Sequence, residues 1–228
     1  MADEFVREAE GAVQDTILTD HQGVLQRATP GHTHAPERIQ VSQKSIRATR
    51  RHLASVSVPA DLHGYRLLAQ VSLWKKEHDA AIAQAERAVA IAPNDADGYE
   101  TLAEMLGWGG RAEESLRYIH QAMRLNPLYP FYYLWTLGHG YYLTGRTQDA
   151  LDAFKKIVER NPNFVPAHAY LAVLFSEMGR PDEARAEWGA ASRLSPGASL
   201  AILRQRLPYR RAADLDRFLS AARKSGLE

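Results

Sequence analysis

The sequence predicts an all-α solenoid, in which stacked helix–turn–helix repeats are flanked by terminal capping helices. Two observations lead to this fold class. A proline recurs at intervals of 34, 35 and 34 residues, and small residues and leucines recur at fixed distances before it. Self-similarity at a period of this length is typical of repeat architectures. The four prolines are Pro93, Pro127, Pro162 and Pro196.

Each repeated position has a physical reason. Glycine stands where the first helix of a unit must end, at Gly110, Gly145 and Gly179, because glycine accepts the left-handed conformation that closes a helix. Proline follows the second helix, which it cannot continue without an N–H group. No unit can bury its apolar face alone, so neighbouring units must stack. A small residue that allows close helix packing stands twelve positions before each proline: Ala81, Ser115, Ala150 and Ala184.

The period and the order of these residues resemble the tetratricopeptide repeat, whose consensus carries Leu-Gly, Tyr, Ala, Phe, Ala and Pro. The resemblance implies a right-handed superhelix and a repeat region over residues 62–198. Pro130 is an extra residue between the second and third units. The four predicted units are 62–95, 96–129, 131–164 and 165–198.

The two ends of the chain depart from the repeat. Residues 37–57 align with the second helix of a unit, since Ala54 matches Ala88 at the same spacing from a proline. We therefore predict that residues 1–61 hold a degenerate half-repeat and a separate helix over 3–18. Residues 199–228 predict a short helix, a break at a proline and a final amphipathic helix, which together cap the array. The apolar stripe of that final helix is Leu215, Phe218, Leu219 and Ala222.

The predicted binding surface follows from the family resemblance. In tetratricopeptide arrays the first helices line a concave groove, into which the second, fifth, ninth, twelfth and thirteenth residues of each unit usually project. The fold and this groove together predict a non-enzymatic scaffold that binds a partner segment through aromatic anchors. The candidate groove residues are Arg66, Gln70, Trp74, Asp97, Glu100, Glu104, Trp108, Tyr132, Trp135, His139 and Tyr142.

The stretch YPFYYLWTLGHGYYLTG, residues 129–145, has two interpretations. The positions of Tyr132, Trp135 and Tyr142 predict exposed rings in the groove, and such rings favour a binding surface because they bury a large area and keep a polar group. Alternatively, these rings pack on neighbouring helices or on the N-terminal segment. The sequence leaves both interpretations open.

The charges of the candidate groove residues limit the chemical class of the partner. Arrays that clamp a C-terminal carboxylate use Lys and Asn at positions that here hold Arg66 and Gln70. The next unit presents Asp97, Glu100 and Glu104, which would repel an acidic peptide. We therefore predict a partner that is basic or aromatic rather than acidic.

Composition excludes several other classes. A net charge of +1 indicates neither a nucleic-acid nor a membrane partner, and no apolar run approaches the roughly 18 residues needed to span a bilayer. The acidic start lacks the features of a secretory signal, which predicts a cytoplasmic protein. There is no cysteine, and His32-Thr-His34 lies in a turn-like stretch without neighbouring ligands, so we predict no cofactor, metal or enzymatic activity.

The C-terminal motifs carry a second resemblance. LRQRLPY, ADLDRFL and RKSGL, together with YLWTLGHGYYLTGR and NPNFVPAHAYLA, are similar to the tetratricopeptide region that follows the catalytic domain of bacterial class III adenylate/guanylate cyclases. This resemblance implies an alternative function as a regulatory or oligomerisation module associated with a cyclase, and a homo-oligomer among its partners.

Overall fold

The computed structural model describes residues 62–227, which belong to one compact unit of the chain. These residues contain ten α-helices and no strand, in agreement with the predicted all-α fold. The N-terminal helix, the half-repeat and the His32/His34 pair predicted within residues 1–61 lie outside the described residues, and the division into three regions stays a prediction.

Eight of the helices form four consecutive pairs. Each first helix packs on the second helix of its own pair, and each second helix packs on the first helix of the next pair. The first helices begin at residues 62, 96, 131 and 165, so that they repeat with the period of the sequence. The eight helices are α1 Leu62–Trp74, α2 His78–Ile91, α3 Ala96–Trp108, α4 Ala112–Leu125, α5 Phe131–Leu143, α6 Thr147–Arg160, α7 Val165–Glu177 and α8 Pro181–Leu194.

The turn inside each pair has the same geometry. Gly110, Gly145 and Gly179 adopt positive φ angles of 80°, 73° and 71° after α3, α5 and α7. The next amide then bonds to a carbonyl five residues back, as from Arg111 to Leu106 at 2.8 Å, which satisfies the end of the helix. In the first pair the same position is Lys76, whose φ is 61°, and its turn closes in the same way from Glu77 to Ser72 at 2.9 Å. The glycine therefore favours this turn without being required for it.

Close packing within the third pair depends on Gly138. A Cβ added there would lie 2.9 Å from a ring atom of Phe154, and that ring is fully buried. We expect Gly138→Ala to destabilise the fold by about 1–2 kcal/mol, because overpacking outweighs the better helix propensity of alanine.

Gly189 in α8 provides the matched control, since a Cβ there would meet only the Arg193 guanidinium at 3.5 Å. Gly189→Ala should stabilise the fold by about 0.5–1 kcal/mol. Thermal unfolding followed by circular dichroism compares the two variants. Equal and positive shifts in both would contradict the close packing at Gly138.

Two further helices follow the four pairs, α9 Leu200–Arg206 and α10 Ala212–Lys224. No residue of α9 is buried. α10 packs mainly on α7, and it buries Phe218, Leu219 and Ala222 of its predicted stripe, with Leu215 half-buried. We refer to residues 207–227 as the tail. None of the helices within 62–227 combines the length and the apolar character needed to cross a membrane.

Candidate partner-binding groove

Three carboxylates lie on one face of α3 and contact α1 and α5. Asp97, Glu100 and Glu104 are spaced three and four residues apart, so they share a helix face, and we call them the acidic cluster. The Arg66 guanidinium of α1 lies 3.3 Å from the Asp97 carboxylate. The Gln70 side-chain amide donates a hydrogen bond of 2.6 Å to Glu104. The first two pairs therefore meet through polar side chains.

The opposite side of the acidic cluster contacts α5. The hydroxyl groups of Tyr132 and Tyr133 donate to the same oxygen of Asp97, at 3.1 and 2.7 Å. The Thr136 hydroxyl donates to Glu100 at 2.6 Å. This arrangement links α1, α3 and α5 across their common face. Neither Tyr133 nor Thr136 occupies a position that the sequence assigned to the groove.

Burial changes the protonation of the acidic cluster. Desolvation, followed by repulsion from Glu104, raises the pKa of Glu100 to about 8, although the hydrogen bond from Thr136 favours the charged form. Burial also raises the pKa of Glu104, against hydrogen bonds from Gln70 and from the indoles of Trp108 and Trp135. The raised pKa favours the neutral carboxylic acid of Glu100 at pH 7, and a higher pH favours its carboxylate.

The aromatic side chains of α5 continue the groove beyond the acidic cluster. Trp135 stacks on His139, with ring centroids 5.9 Å apart and planes 3° from parallel, and its edge meets Tyr170 of α7 at 5.2 Å. Tyr132 and Trp135 remain partly accessible. These two rings thus border the acidic cluster on the side of the third pair.

Three of the groove candidates are buried, and the exposure predicted for the Tyr142 ring is therefore wrong. Trp108 keeps 4% of its accessible surface, His139 2% and Tyr142 none. The physical reason is the tail, because Tyr209 packs edge-on against Trp108 at 4.8 Å and lies 5.8 Å from His139. The packing interpretation therefore applies to these three rings. The segment that covers them comes from the C-terminal end of the chain, whereas the sequence had suggested the N-terminal segment.

The remaining candidates divide by accessibility. Glu100 is buried, with 6% of its surface exposed, which also differs from the expected projection into an open groove. Trp74 is exposed at the end of α1. The partly accessible candidates are Arg66, Gln70, Asp97, Glu104, Tyr132 and Trp135. The structure thus brings the candidates of α1, α3 and α5 together in one surface, of which the part near the acidic cluster is open.

Sequence reasoning missed the residues of the tail that complete this surface. Tyr209 and Phe218 contact Tyr170 of α7, and Arg217 contacts Tyr142 of α5. Their only sequence signal is an aromatic residue after Pro208 and another within the amphipathic stripe of α10. Neither feature identifies the helix on which a ring will pack.

Comparison with known proteins agrees with the repeat fold. The tetratricopeptide repeat profile matches residues 141–207, from the end of α5 through α9. The four helix pairs of residues 62–194 therefore have the fold of a tetratricopeptide repeat solenoid. The profile covers the last one and a half pairs of this solenoid, and the first two pairs follow the same period. No curated protein matches the chain by sequence.

Solved structures share the fold of the solenoid. PilW, a type IV pilus biogenesis factor, superposes with a TM-score of 0.57 at 19% identity, over 80% of this chain and 80% of PilW. The tetratricopeptide protein TTC0263 of Thermus thermophilus gives a TM-score of 0.55 at 21% identity, over 72% and 90% of the two chains. The MamA protein gives 0.50 at 18% identity, over 72% and 89%. At these identities the likeness concerns the fold alone.

Proposed function

We propose that the solenoid is a non-enzymatic interaction scaffold, which binds a segment of a partner protein that carries basic and aromatic side chains. Tetratricopeptide folds present preformed surfaces to protein partners. The observation that carries the proposal is the acidic cluster beside the accessible rings of Tyr132 and Trp135. A site of this composition suits a cation with an apolar stem, such as arginine or lysine.

The charge balance supports a cationic partner. Among the described residues, Arg66 is the one cation that forms an ion pair with the acidic cluster, so three carboxyl groups face a single guanidinium. A cation from the partner would be attracted to Asp97 and Glu104 and would favour ionisation of Glu100. The partly accessible ring of Tyr132 would offer a cation–π contact to the same group. An acidic partner would meet repulsion instead.

A random peptide library tests this preference on the full chain. We expect selected peptides to be net basic and rich in aromatic residues, and to bind the Asp97→Asn/Glu104→Gln variant at least tenfold more weakly, because about 1.4 kcal/mol corresponds to a factor of ten. Fluorescence anisotropy measures the affinities.

The control is Asp149→Asn/Glu159→Gln, which removes the same charge from exposed positions of α6. Enrichment of acidic peptides, or equal weakening in both double variants, would contradict the proposal.

The alternative function, a regulatory or oligomerisation module of a nucleotide cyclase, stays a prediction. The motifs that carry that resemblance lie in α5 to α7, in α9 and in the tail. Within them Tyr209, Phe218 and Tyr170 are buried against each other. Packing accounts for these residues without a cyclase. Sedimentation velocity of the full chain over a range of concentrations tests the homo-oligomer that this alternative implies.

A further inference from the structure

The tail contacts the solenoid as a bound peptide would, through two buried aromatic anchors. Tyr209 keeps 7% of its surface and Phe218 1%. The hydroxyl oxygens of Tyr209 and Tyr170 are 2.5 Å apart, and the ring of Phe218 lies 4.9 Å from that of Tyr170. Buried aromatic anchors of this kind contribute most of the affinity at protein interfaces.

A charged clamp holds the tail between the two anchors. The Arg217 guanidinium donates to both oxygens of Glu177, at 2.7 and 2.6 Å, and to the Tyr142 carbonyl at 2.8 Å. It also lies over the Tyr142 ring, 4.2 Å from the centroid. Glu177 and Tyr142 lie at the C-terminal ends of α7 and α5, so a single arginine connects two repeats. Such a bidentate contact is specific to the planar guanidinium.

The tail reaches far beyond the last repeat. The Arg210 amide donates to the Trp108 carbonyl at the end of α3, and the Arg210 guanidinium pairs with Asp79 of α2. A cap needs contact only with the pair that precedes it, whereas this segment touches helices of all four pairs. Its chemistry, aromatic rings with arginines, is also the chemistry that the proposed function assigns to the partner.

The connection between the solenoid and the tail is weakly held. Residues 195–198, which follow α8, are exposed, and α9 has no buried residue. Leu200 and Leu203 of α9 are only partly buried against the core, so the fully buried contacts of this part of the chain are those of the tail. Release of the anchors is therefore the step that would free the tail.

The covered part of the groove contains two polar atoms that the tail does not satisfy. The Tyr142 hydroxyl and His139 Nε2 are buried, and neither has a hydrogen-bond partner among the described residues. Both side chains lie beside the tail, Tyr142 under Arg217 and His139 near Tyr209. A buried polar atom without a partner is unfavourable, so a partner segment that placed a polar group here would make hydrogen bonds that the tail does not make.

We propose that the tail is an intramolecular ligand of the groove, which a partner segment carrying an aromatic residue and an arginine must displace. This inference rests on the proposed function, and it adds that the tail regulates the access of the partner to the groove. In the closed state only the surface near the acidic cluster is open. In the displaced state Trp108, Tyr142 and Tyr170 become available to the partner.

The first experiment measures binding of a fluorescent peptide that comprises residues 207–227. We expect the full chain with Tyr209→Ala/Phe218→Ala to bind this peptide at least tenfold more tightly than the wild type, whose own tail competes. Ser220→Ala, an exposed position of α10, serves as the control and should bind like the wild type. Equal binding by the double variant and the wild type, at unchanged helicity, would overturn the proposal.

The second experiment closes the tail without weakening its anchors. The chain has no cysteine, so Glu177→Cys/Arg217→Cys can be joined selectively by a short bismaleimide. The cross-linked protein should bind a library-selected peptide at least tenfold more weakly than the same protein before cross-linking, and equal binding in the two states would overturn the inference. If the library yields no basic or aromatic binder, the proposed function fails. The 207–227 peptide still decides whether an added segment can replace the tail in the groove.

Discussion

Replacement of Tyr170 by alanine is expected to lower the free energy of unfolding by about 3–5 kcal/mol, a loss at the upper end for a single core substitution. Tyr170 keeps 2% of its surface, and its ring lies within 5.3 Å of the ring centroids of Trp135, Tyr142, Phe154 and Phe218. Truncation would leave a cavity between α5, α7 and the tail. Urea denaturation measures the loss.

Two further variants separate the ring from its hydroxyl group. Tyr170→Phe should cost about 1–3 kcal/mol, because it leaves the buried Tyr209 hydroxyl without its partner. Tyr118→Ala is the control, since that ring is half-exposed and stacks only on Tyr99, at 6.1 Å. A loss for Tyr170→Ala no larger than that for Tyr118→Ala would show that the aromatic contacts around α7 do not form the core of this region.

The stability of the solenoid should fall as the pH rises from about 5 to 9. Burial raises the pKa of Glu100 to about 8, from an ordinary value of 4.5. Between these values the folded protein holds a proton that the unfolded chain has released, so a higher pH favours unfolding. The full stability is present below the unfolded pKa and is lost as the pH passes the folded pKa. We expect a loss of roughly 2–4 kcal/mol over this range.

Glu100→Gln should remove most of this pH dependence, because glutamine keeps the neutral shape and still accepts the hydrogen bond from Thr136. Urea denaturation at pH 5, 7 and 9 measures the slope. Glu114→Gln is the control, since the Arg111 guanidinium lowers the pKa of that exposed carboxyl group and places its titration below this range. A variant at position 100 whose slope equals that of the wild type would show that Glu100 is charged in the folded protein.

The sequence was sufficient for the helix pairs because each of them follows from local chemistry. A proline ends the second helix of each pair, and a residue with a positive φ angle ends the first helix of each pair. Both occur at positions set by the period. Lys76, which stands in the first pair where the other pairs have glycine, shows the limit of this reasoning. The same turn forms there although the sequence lacks the glycine from which the turn is predicted. The core face of α5 was also predictable, because Leu134 and Leu137 occupy core positions of the repeat consensus, and both are buried.

The occupied part of the groove was not predictable in the same way. Position within a unit shows that His139 and Tyr142 face the concave side, but it does not show whether solvent or protein covers them. The decisive contacts, from Tyr209 to Tyr170 and from Arg217 to Tyr142, join residues that belong to different periods. No local preference of the tail encodes its partners, because an amphipathic stripe fits any apolar surface of suitable shape.

The long reach of the tail has a consequence for folding. Arg210 of the tail and Asp79 are 131 residues apart in sequence. Just before the tail, the Gln205 carbonyl of α9 accepts a hydrogen bond from the Lys76 ammonium, 129 residues away. Ordinary repeat arrays have only short-range contacts, so they can nucleate at any unit and fray from either end. Here the contact order is higher, and the final contacts must wait until all four pairs have formed. The tail therefore couples the first pair to the last, and residues 62–227 should melt in a single cooperative transition instead of unit by unit.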